Sequence, residues 1–288
     1  MKKIYLIAGL TVEMTGEQML RQVSQFPGFD IFEIPEQDRG DADICIHMDR
    51  QIDTANLMNI RLIHCFSILD LKHTFSKCED GYLFEMYQSD GKKIISIIYN
   101  LKDNTVFTSS SDNEMIIKYA VWIAYFLPAI GKRVIPIHAS SVVKDSEAVL
   151  FLGESGTGKS THARLWLKYI ENSYLLNDDS PLLCLRDGKI FVHGSPWSGK
   201  THCYQQKAAL LKAMVRLKQY PENRMNRRSR LESIGAIHPS FPPFIAHDEV
   251  LSEKVMYMID KIVNNAPVYE LRCLPDKEAA EIAYNTIY

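Results

Sequence analysis

Nine consecutive residues, GESGTGKST at positions 153–161, have the types and spacing that suit a phosphate group. Gly153, Gly158, Lys159 and Ser160 satisfy the pattern G-x-x-x-x-G-K-[ST], whose glycines let backbone N–H groups turn toward phosphate oxygens. The lysine can reach the β- and γ-phosphates, and the Ser160 hydroxyl can bind Mg²⁺. The predicted nucleotide-binding residues are Gly153, Glu154, Ser155, Gly156, Thr157, Gly158, Lys159, Ser160 and Thr161.

Two adjacent carboxylates, Asp178 and Asp179, follow the apolar run SYLLN. A phosphate loop of this type works with a second acid that orients the metal. One carboxylate would hold Mg²⁺, and the other would accept the proton of an attacking hydroxyl. Neighbouring side chains on a strand point to opposite faces, so both can serve one site only where the backbone curls at the strand's end. The alternative interpretation is a solvated Asp-Asp-Ser-Pro turn.

The flanking segments predict the elements that position these groups. An apolar strand, AVLFL, leads into the loop, and a helix from about Lys159 to Ile170 follows it. Before the loop the sequence predicts two strands around a turn at 144–146, and after it a strand SYLLNDD and a hairpin that turns at 187–188. The run KAALLKAMVRLKQ predicts a strand or a short helix, and the C-terminal third is predicted to be mostly helical.

The first part of the chain predicts a β-rich region. Residues 81–111 predict three strands in an antiparallel meander, with turns at 89–91 and 102–104. A buried helix follows, with a capping box formed by Ser111 and Glu114 and a stop at Pro128 and Gly131. The predicted domains are residues 1–130, β-rich and ending in this helix, and residues 131–288, which contain the phosphate loop.

Composition narrows the class of protein. The 288-residue chain has a formal net charge of −2, which argues against a general nucleic-acid binder. None of its six cysteines forms a C-x-x-C pair, so we expect reduced thiols and a cytoplasmic location. The longest apolar run contains Lys118 and is too short and interrupted to span a bilayer, so no membrane partner is expected. Homo-oligomerisation stays open.

His138 in PIHASSVV, the loop GESGTGKS and the run LLNDDSPLL together resemble the kinase domain of HPr kinase/phosphorylase. That family belongs to the P-loop branch that also contains ATP-dependent phosphoenolpyruvate carboxykinase. The resemblance implies an α/β fold, with a mixed-sheet P-loop kinase core joined to the β-rich N-terminal part. It also implies ATP and Mg²⁺ as cofactors, His138 beside the transferred phosphate, Asp178 on the metal and Asp179 as the base. The stretch that begins GSPWSGKTH is similar to a subgroup linked to peptide-modification systems.

We therefore expect a kinase that transfers a phosphoryl group to a serine-like hydroxyl of a peptide, a protein or a small molecule. The alternative is a nucleotide-binding switch or scaffold that transfers no phosphoryl group. A third hypothesis is a carboxykinase-like decarboxylase. Lys200 and Arg227 are candidates for contacting the phosphate or the acceptor, against the alternatives of an exposed turn and a solvated basic loop. His162 is expected to face solvent on the helix after the loop.

Overall fold

The computed structural model describes residues 1–35, 41–54, 57–68 and 70–288. The chain divides into two compact units, Met1–Lys132 with Pro243–Ser252 and Arg133–Pro242 with Glu253–Tyr288. The predicted boundary at residue 130 lies close to Lys132. The segment Pro243–Ser252, however, was predicted within the second domain and belongs to the first unit.

The described part of the first unit contains one eight-stranded mixed sheet in the order β1-β2-β3-β8-β7-β6-β5-β4. Its strands are β1 (Lys2–Ile7), β2 (Leu10–Thr15), β3 (Ile44–His47), β4 (Arg61–Ile68), β5 (Leu71–Cys78), β6 (Gly81–Tyr87), β7 (Lys93–Asn100) and β8 (Thr105–Thr108). Strand β3 is parallel to both β2 and β8, and the other pairs are antiparallel. The predicted meander is confirmed as β6, β7 and β8, whereas β2 and β5 were not predicted.

The helices of this unit are α1 (Gln18–Val23), α2 (Phe29–Phe32) and α3 (Glu114–Gly131). Helix α3 is buried along most of its length, as predicted, but its predicted start is wrong. The N-cap is Asn113, whose side chain accepts a hydrogen bond from the Ile116 N–H, so Ser111 lies outside the helix. Pro128 does not stop the helix, which continues to Gly131. By length and composition alone α3 could cross a membrane, but the core helix of a soluble protein can have the same length and composition. In this protein 67% of α3 is buried inside the fold.

Buried contacts explain why Pro243–Ser252 belongs to the first unit. The Phe244 ring lies 5.0 Å from the ring of Phe75 and 5.6 Å from that of Phe84. The buried Tyr82 hydroxyl donates a 2.8 Å hydrogen bond to the Asp248 carboxylate. These partners lie more than a hundred residues away along the chain, so local sequence patterns could not assign the segment to this unit.

The second unit contains a nine-stranded mixed sheet in its described residues. Five of its strands run side by side in the order β12-β10-β11-β15-β17, and β16 pairs with the outer edge of β17. The strands are β9 (Val134–Pro136), β10 (Ala139–Lys144), β11 (Glu147–Leu152), β12 (Ser173–Asp179), β13 (Leu182–Arg186), β14 (Lys189–His193), β15 (Ala208–Gln219), β16 (Arg224–Arg227) and β17 (Val268–Cys273). The ambiguous run KAALLKAMVRLKQ forms strand β15, whereas β16 and β17 were not predicted.

Helices α4 (Lys159–Tyr169), α5 (Arg230–Ile237), α6 (Glu249–Asn265) and α7 (Lys277–Ile287) complete the chain, and the predicted helices of the C-terminal third are confirmed. An apolar cluster joins one face of the second sheet to α4 and α7; among its members are Phe151, Trp166, Val215, Leu271 and Ala280. The described fold is therefore mixed α/β. The cluster anchors α4 beside β11, which fixes the loop between them.

Candidate functional site

The phosphate loop, residues 153–158, connects the end of β11 to the start of α4. Gly153, Gly156 and Gly158 have φ angles of 153°, 82° and 102°, which residues with a side chain rarely adopt. At Gly153 the space is also closed, because an added Cβ would lie 2.4 Å from the Thr157 Oγ1 atom. The loop conformation therefore depends on the glycines that the motif supplies.

The start of α4 is suited to an anion. Its N-cap residue, Gly158, makes no side-chain capping hydrogen bond, so the first turn presents backbone N–H groups and the positive end of the helix dipole. Lys159 is buried, and its Nζ donates hydrogen bonds of 2.9 Å to the Gly153 carbonyl and 3.1 Å to the Glu154 carbonyl. Burial lowers the pKa of Lys159, Arg216 lowers it further, and Asp179 and Asp178 oppose that shift. The ammonium group of Lys159 and the positive end of α4 therefore both lie at the loop.

His162 is buried on the side of α4 that faces β11 and not on its solvent side, so that expectation is wrong. The imidazole is 2% exposed and packs edge-on against Phe151, with ring centroids 4.6 Å apart. Neither ring nitrogen has a hydrogen-bond partner among the described residues. Burial lowers the pKa of His162 to about 4, so the ring is neutral at pH 7. It supports the loop as an apolar ring would.

The two aspartates lie at the same end of the sheet and face opposite sides of it. Asp178 is buried on the α4 side, where it accepts a hydrogen bond from the Ser140 hydroxyl. Asp179 is half exposed, and its Oδ1 lies 3.3 Å from Nδ1 of His138. Asp179 has a φ of 153°, so the strand ends in a strained residue, as the curling backbone required.

The structure brings His138 and the loop that contains Lys200 to this end of the sheet. The Gly199 N–H donates a 2.9 Å hydrogen bond to the Asp178 carbonyl, and Ser198 forms an isolated bridge with Asp179. Lys200 follows directly and is exposed. The segment therefore borders the carboxylates, with Lys200 free to approach a ligand from solvent.

Arg216 is a member of the site that the sequence did not indicate. It shares a row across the sheet with Leu152, the residue before the loop, and its guanidinium lies 4.0 Å from the Glu154 carboxylate. A 3.0 Å hydrogen bond to the Ala236 carbonyl holds the side chain at the end of α5. A charged residue inside the apolar run AMVRL was the available signal. Its position beside the loop depends on the β11–β15 pairing, which the sequence does not show.

Arg227 is not brought to this cluster. It is exposed on β16, the outermost strand, which lies five strands from β12. At about 4.8 Å per strand this places it about 24 Å from the aspartates. The cluster of loop, carboxylates and cations therefore consists of residues 153–161, His138, Asp178, Asp179, Lys200 and Arg216.

The oxygen donors fit a magnesium ion that arrives with a nucleotide. The carboxylate of Asp178 and the hydroxyl of Ser160 are hard ligands, and Mg²⁺ is commonly held by one or two carboxylates together with substrate phosphates. Within the described ranges, no three His, Cys, Asp or Glu side chains converge on a point where they could hold a metal by themselves. The chemistry of these donors therefore suits a metal ion that bound phosphates help to hold, and it does not suit a metal held by the protein alone.

No protein-family model matches the chain, and no curated protein matches it. Among solved structures, the chain is similar to the Hpr(Ser) kinase/phosphatase from Coxiella burnetii, with a TM-score of 0.30 and 13% sequence identity. The match covers 52% of this chain and 95% of that one. The likeness is weak, so the function has to be inferred from the residues of the site.

Proposed function

We propose that the protein is an ATP- and Mg²⁺-dependent kinase that transfers a phosphoryl group to a hydroxyl of a peptide, a protein or a small molecule. The observation that carries the proposal is the position of two separate carboxylates at the end of the sheet that bears the phosphate loop. Asp178 is buried and fixed by Ser140, whereas Asp179 is open to solvent beside His138. Nucleotide binding alone requires one metal-orienting acid, whereas transfer also requires a carboxylate that can reach the acceptor, and Asp179 is placed to be that second group. We also infer that the second unit has the P-loop kinase core that the motifs resemble.

Each residue then has a distinct role. The loop backbone and Lys159 bind the phosphates, with Ser160 and Asp178 as the metal ligands. Magnesium, when bound, neutralises charge on the β- and γ-phosphates. Asp179 accepts the proton of the attacking hydroxyl, and His138 orients that carboxylate. Arg216 stabilises negative charge on the transferred group, because its guanidinium is already fixed beside the loop. Lys200 contacts the acceptor or the phosphate.

The experiment compares Asp178→Asn and Asp179→Asn. We expect Asp178→Asn to weaken Mg²⁺-dependent nucleotide binding, because a ligand charge is lost. Asp179→Asn should leave nucleotide binding nearly unchanged and slow transfer by about 10²- to 10⁴-fold, the usual contribution of a general base. Calorimetry measures binding, and labelled ATP with cell extract, then with the acceptor found there, measures transfer. Lys159→Ala is the binding-deficient reference.

The alternative, a nucleotide-dependent switch, predicts different results. Neither aspartate variant would then change a transfer rate, because the protein would have no acceptor, and both would alter affinity for a partner. Transfer by Asp179→Asn at the wild-type rate would show that Asp179 is not the base.

A further inference from the structure

Three cations lie together on the sheet beyond the phosphate loop. Lys218 on β15, Arg272 on β17 and Arg224 on β16 are adjacent in the register, since Lys218 pairs with Arg272 and Arg272 with Arg224. Paired residues project to the same side of a sheet, so these three form one surface, which we name the basic face. The residues between them, such as Leu217 and Leu271, point to the opposite side, into the apolar core.

The basic face carries more positive than negative charge. The buried Glu270 carboxylate lies between Lys218, at 2.9 Å, and Arg272, at 3.0 Å, and it also pairs with Arg228. Burial alone would raise the pKa of Glu270, but the hydrogen bonds from these cations lower it to about 2. Glu270 carries one negative charge and contacts three cations, so the group keeps a net positive charge. No carboxylate lies within ion-pair distance of Arg224 in the part of the chain that the structure describes.

The basic face adjoins the proposed reaction site. Lys218 is two residues beyond Arg216 on β15, on the same side of the sheet, and Arg216 lies 4.0 Å from the Glu154 carboxylate of the phosphate loop. The row that begins at Asp179 continues through Ala139 and Leu152 to Arg216 and Glu270. The open carboxylate and the basic face therefore belong to the same side of the sheet.

We propose that the basic face binds an acidic segment of the acceptor, which is a peptide with carboxylate side chains some residues away from its reactive hydroxyl. The position of that hydroxyl at Asp179 rests on the proposed kinase function. Cations that Glu270 already holds in place lose little conformational freedom when they bind carboxylates, and arginine can bind a carboxylate through two hydrogen bonds.

The sheet geometry sets a lower limit for the spacing between hydroxyl and carboxylates, because Ala139, Leu152 and Glu270 on this side are buried and the peptide has to pass around what covers them. Lys218 is three strands across and two residues along from the row of Asp179, which is about 16 Å at about 4.8 Å per strand and about 3.4 Å per residue. Arg272 and Arg224 are one and two strands further. An extended peptide advances about 3.3 Å per residue, so the acidic side chains lie at least about five to eight residues from the hydroxyl.

The test measures binding of synthetic fluorescent peptides to the full-length protein by anisotropy, with Mg²⁺ and a non-hydrolysable ATP analogue present. Each peptide has one serine in an alanine background, with three glutamates centred six residues after it or six residues before it. Matched peptides carry glutamine at the same places. We expect one of the acidic peptides to bind at least about 10-fold more tightly than its glutamine counterpart, and the preference to shrink at high salt.

Arg224→Gln is the main variant, because it removes a cation that holds no ion pair among the described residues. It should weaken acidic-peptide binding by about 3- to 10-fold and leave the affinity for the ATP analogue unchanged. The double variant Lys218→Gln, Arg224→Gln should lose most of the preference for acidic peptides over glutamine peptides. Arg186→Gln, which removes an exposed cation at the tip of the β13–β14 hairpin, is the matched control and should change nothing.

The proposal is overturned if acidic and glutamine peptides bind equally, or if Arg224→Gln weakens the ATP analogue as much as the peptide, since the face would then serve the nucleotide. Binding of the acidic peptide through these residues, with no phosphorylation of its serine when labelled ATP replaces the analogue, would contradict the kinase function and support the binding face. Transfer to serine peptides irrespective of their charge would support the kinase and refute the face.

Discussion

The buried imidazole of His162 should make the second unit less stable in mild acid. Its pKa is about 4 in the folded protein and about 6.5 in an unfolded chain. Well above pH 6.5 the ring is neutral in both states, so it has no effect on the pH dependence of stability. As the pH falls from 6.5 to 4, the unfolded chain takes up a proton that the folded protein excludes, and the free energy of unfolding decreases.

The two pKa values give the size of the effect. Their difference corresponds to about 3 kcal/mol once the pH is well below 4, and to about 2 kcal/mol between pH 7 and pH 5. His162→Leu replaces the ring with an apolar side chain of similar volume that takes up no proton. The stability of the variant relative to wild type should therefore be about 2 kcal/mol greater at pH 5 than at pH 7.

Urea denaturation at the two pH values, with amide hydrogen exchange in α4 as the local probe, measures this difference. His202→Leu is the control, because His202 is exposed and the same substitution there should leave the pH dependence unchanged. A relative stability of His162→Leu that is the same at both pH values would refute the reasoning. It would mean that the folded protein accommodates a protonated His162.

Two further predictions concern backbone geometry. Gly153→Ala should weaken nucleotide binding at least about 10-fold by calorimetry and cost about 1–3 kcal/mol of stability, because the added Cβ meets Thr157 at a φ that alanine avoids. The control, Gly188→Ala, lies in a hairpin turn with open space around it and should leave nucleotide binding intact. Unchanged affinity of the Gly153 variant would contradict the closed loop. Asn113→Ala should lower the free energy of unfolding by about 1 kcal/mol in thermal or urea denaturation, because the N-cap of α3 is lost. Ser111→Ala should lower it much less. A larger effect of Ser111→Ala than of Asn113→Ala would support the capping box that the sequence predicted.

Features that depend on neighbouring residues could be predicted from the sequence. The three-strand meander, the β13–β14 hairpin and the strand, loop and helix around Gly153 each follow from apolar runs and turn residues within about 15 positions. The start of α3 was misplaced because Ser111 and Asn113 are both good N-cap residues, and only the structure shows which side chain accepts from the first turn.

Features that depend on long-range pairing could not be predicted. Strand β17 is short, and its partner β15 lies more than 50 residues earlier in the chain. The same pairing, together with β11–β15, places Arg216 at the loop and Lys218 beside Arg272. Ser140 likewise becomes part of the site only because β10 pairs with β12, which sets its hydroxyl against Asp178. A single sequence contains the residues but not these registers.

The arrangement of Asp178 and Asp179 shows how one strand can supply two chemically different carboxylates. Successive residues of a strand project to opposite faces, so the pair is divided between a buried side, with α4, and an opposite side that is open to solvent at Asp179 itself, although Ala139 and Leu152 in the same row are buried. On the buried side Ser140 fixes one carboxylate where the helix begins, which suits a metal ligand. On the open side His138 contacts the other, where an acceptor can arrive from solvent. The sequence left the assignment of the two roles to a resemblance. The difference in burial agrees with that assignment, because the buried carboxylate is held in place and the half-exposed one is accessible, although both carboxylates act on Lys159 at the start of α4.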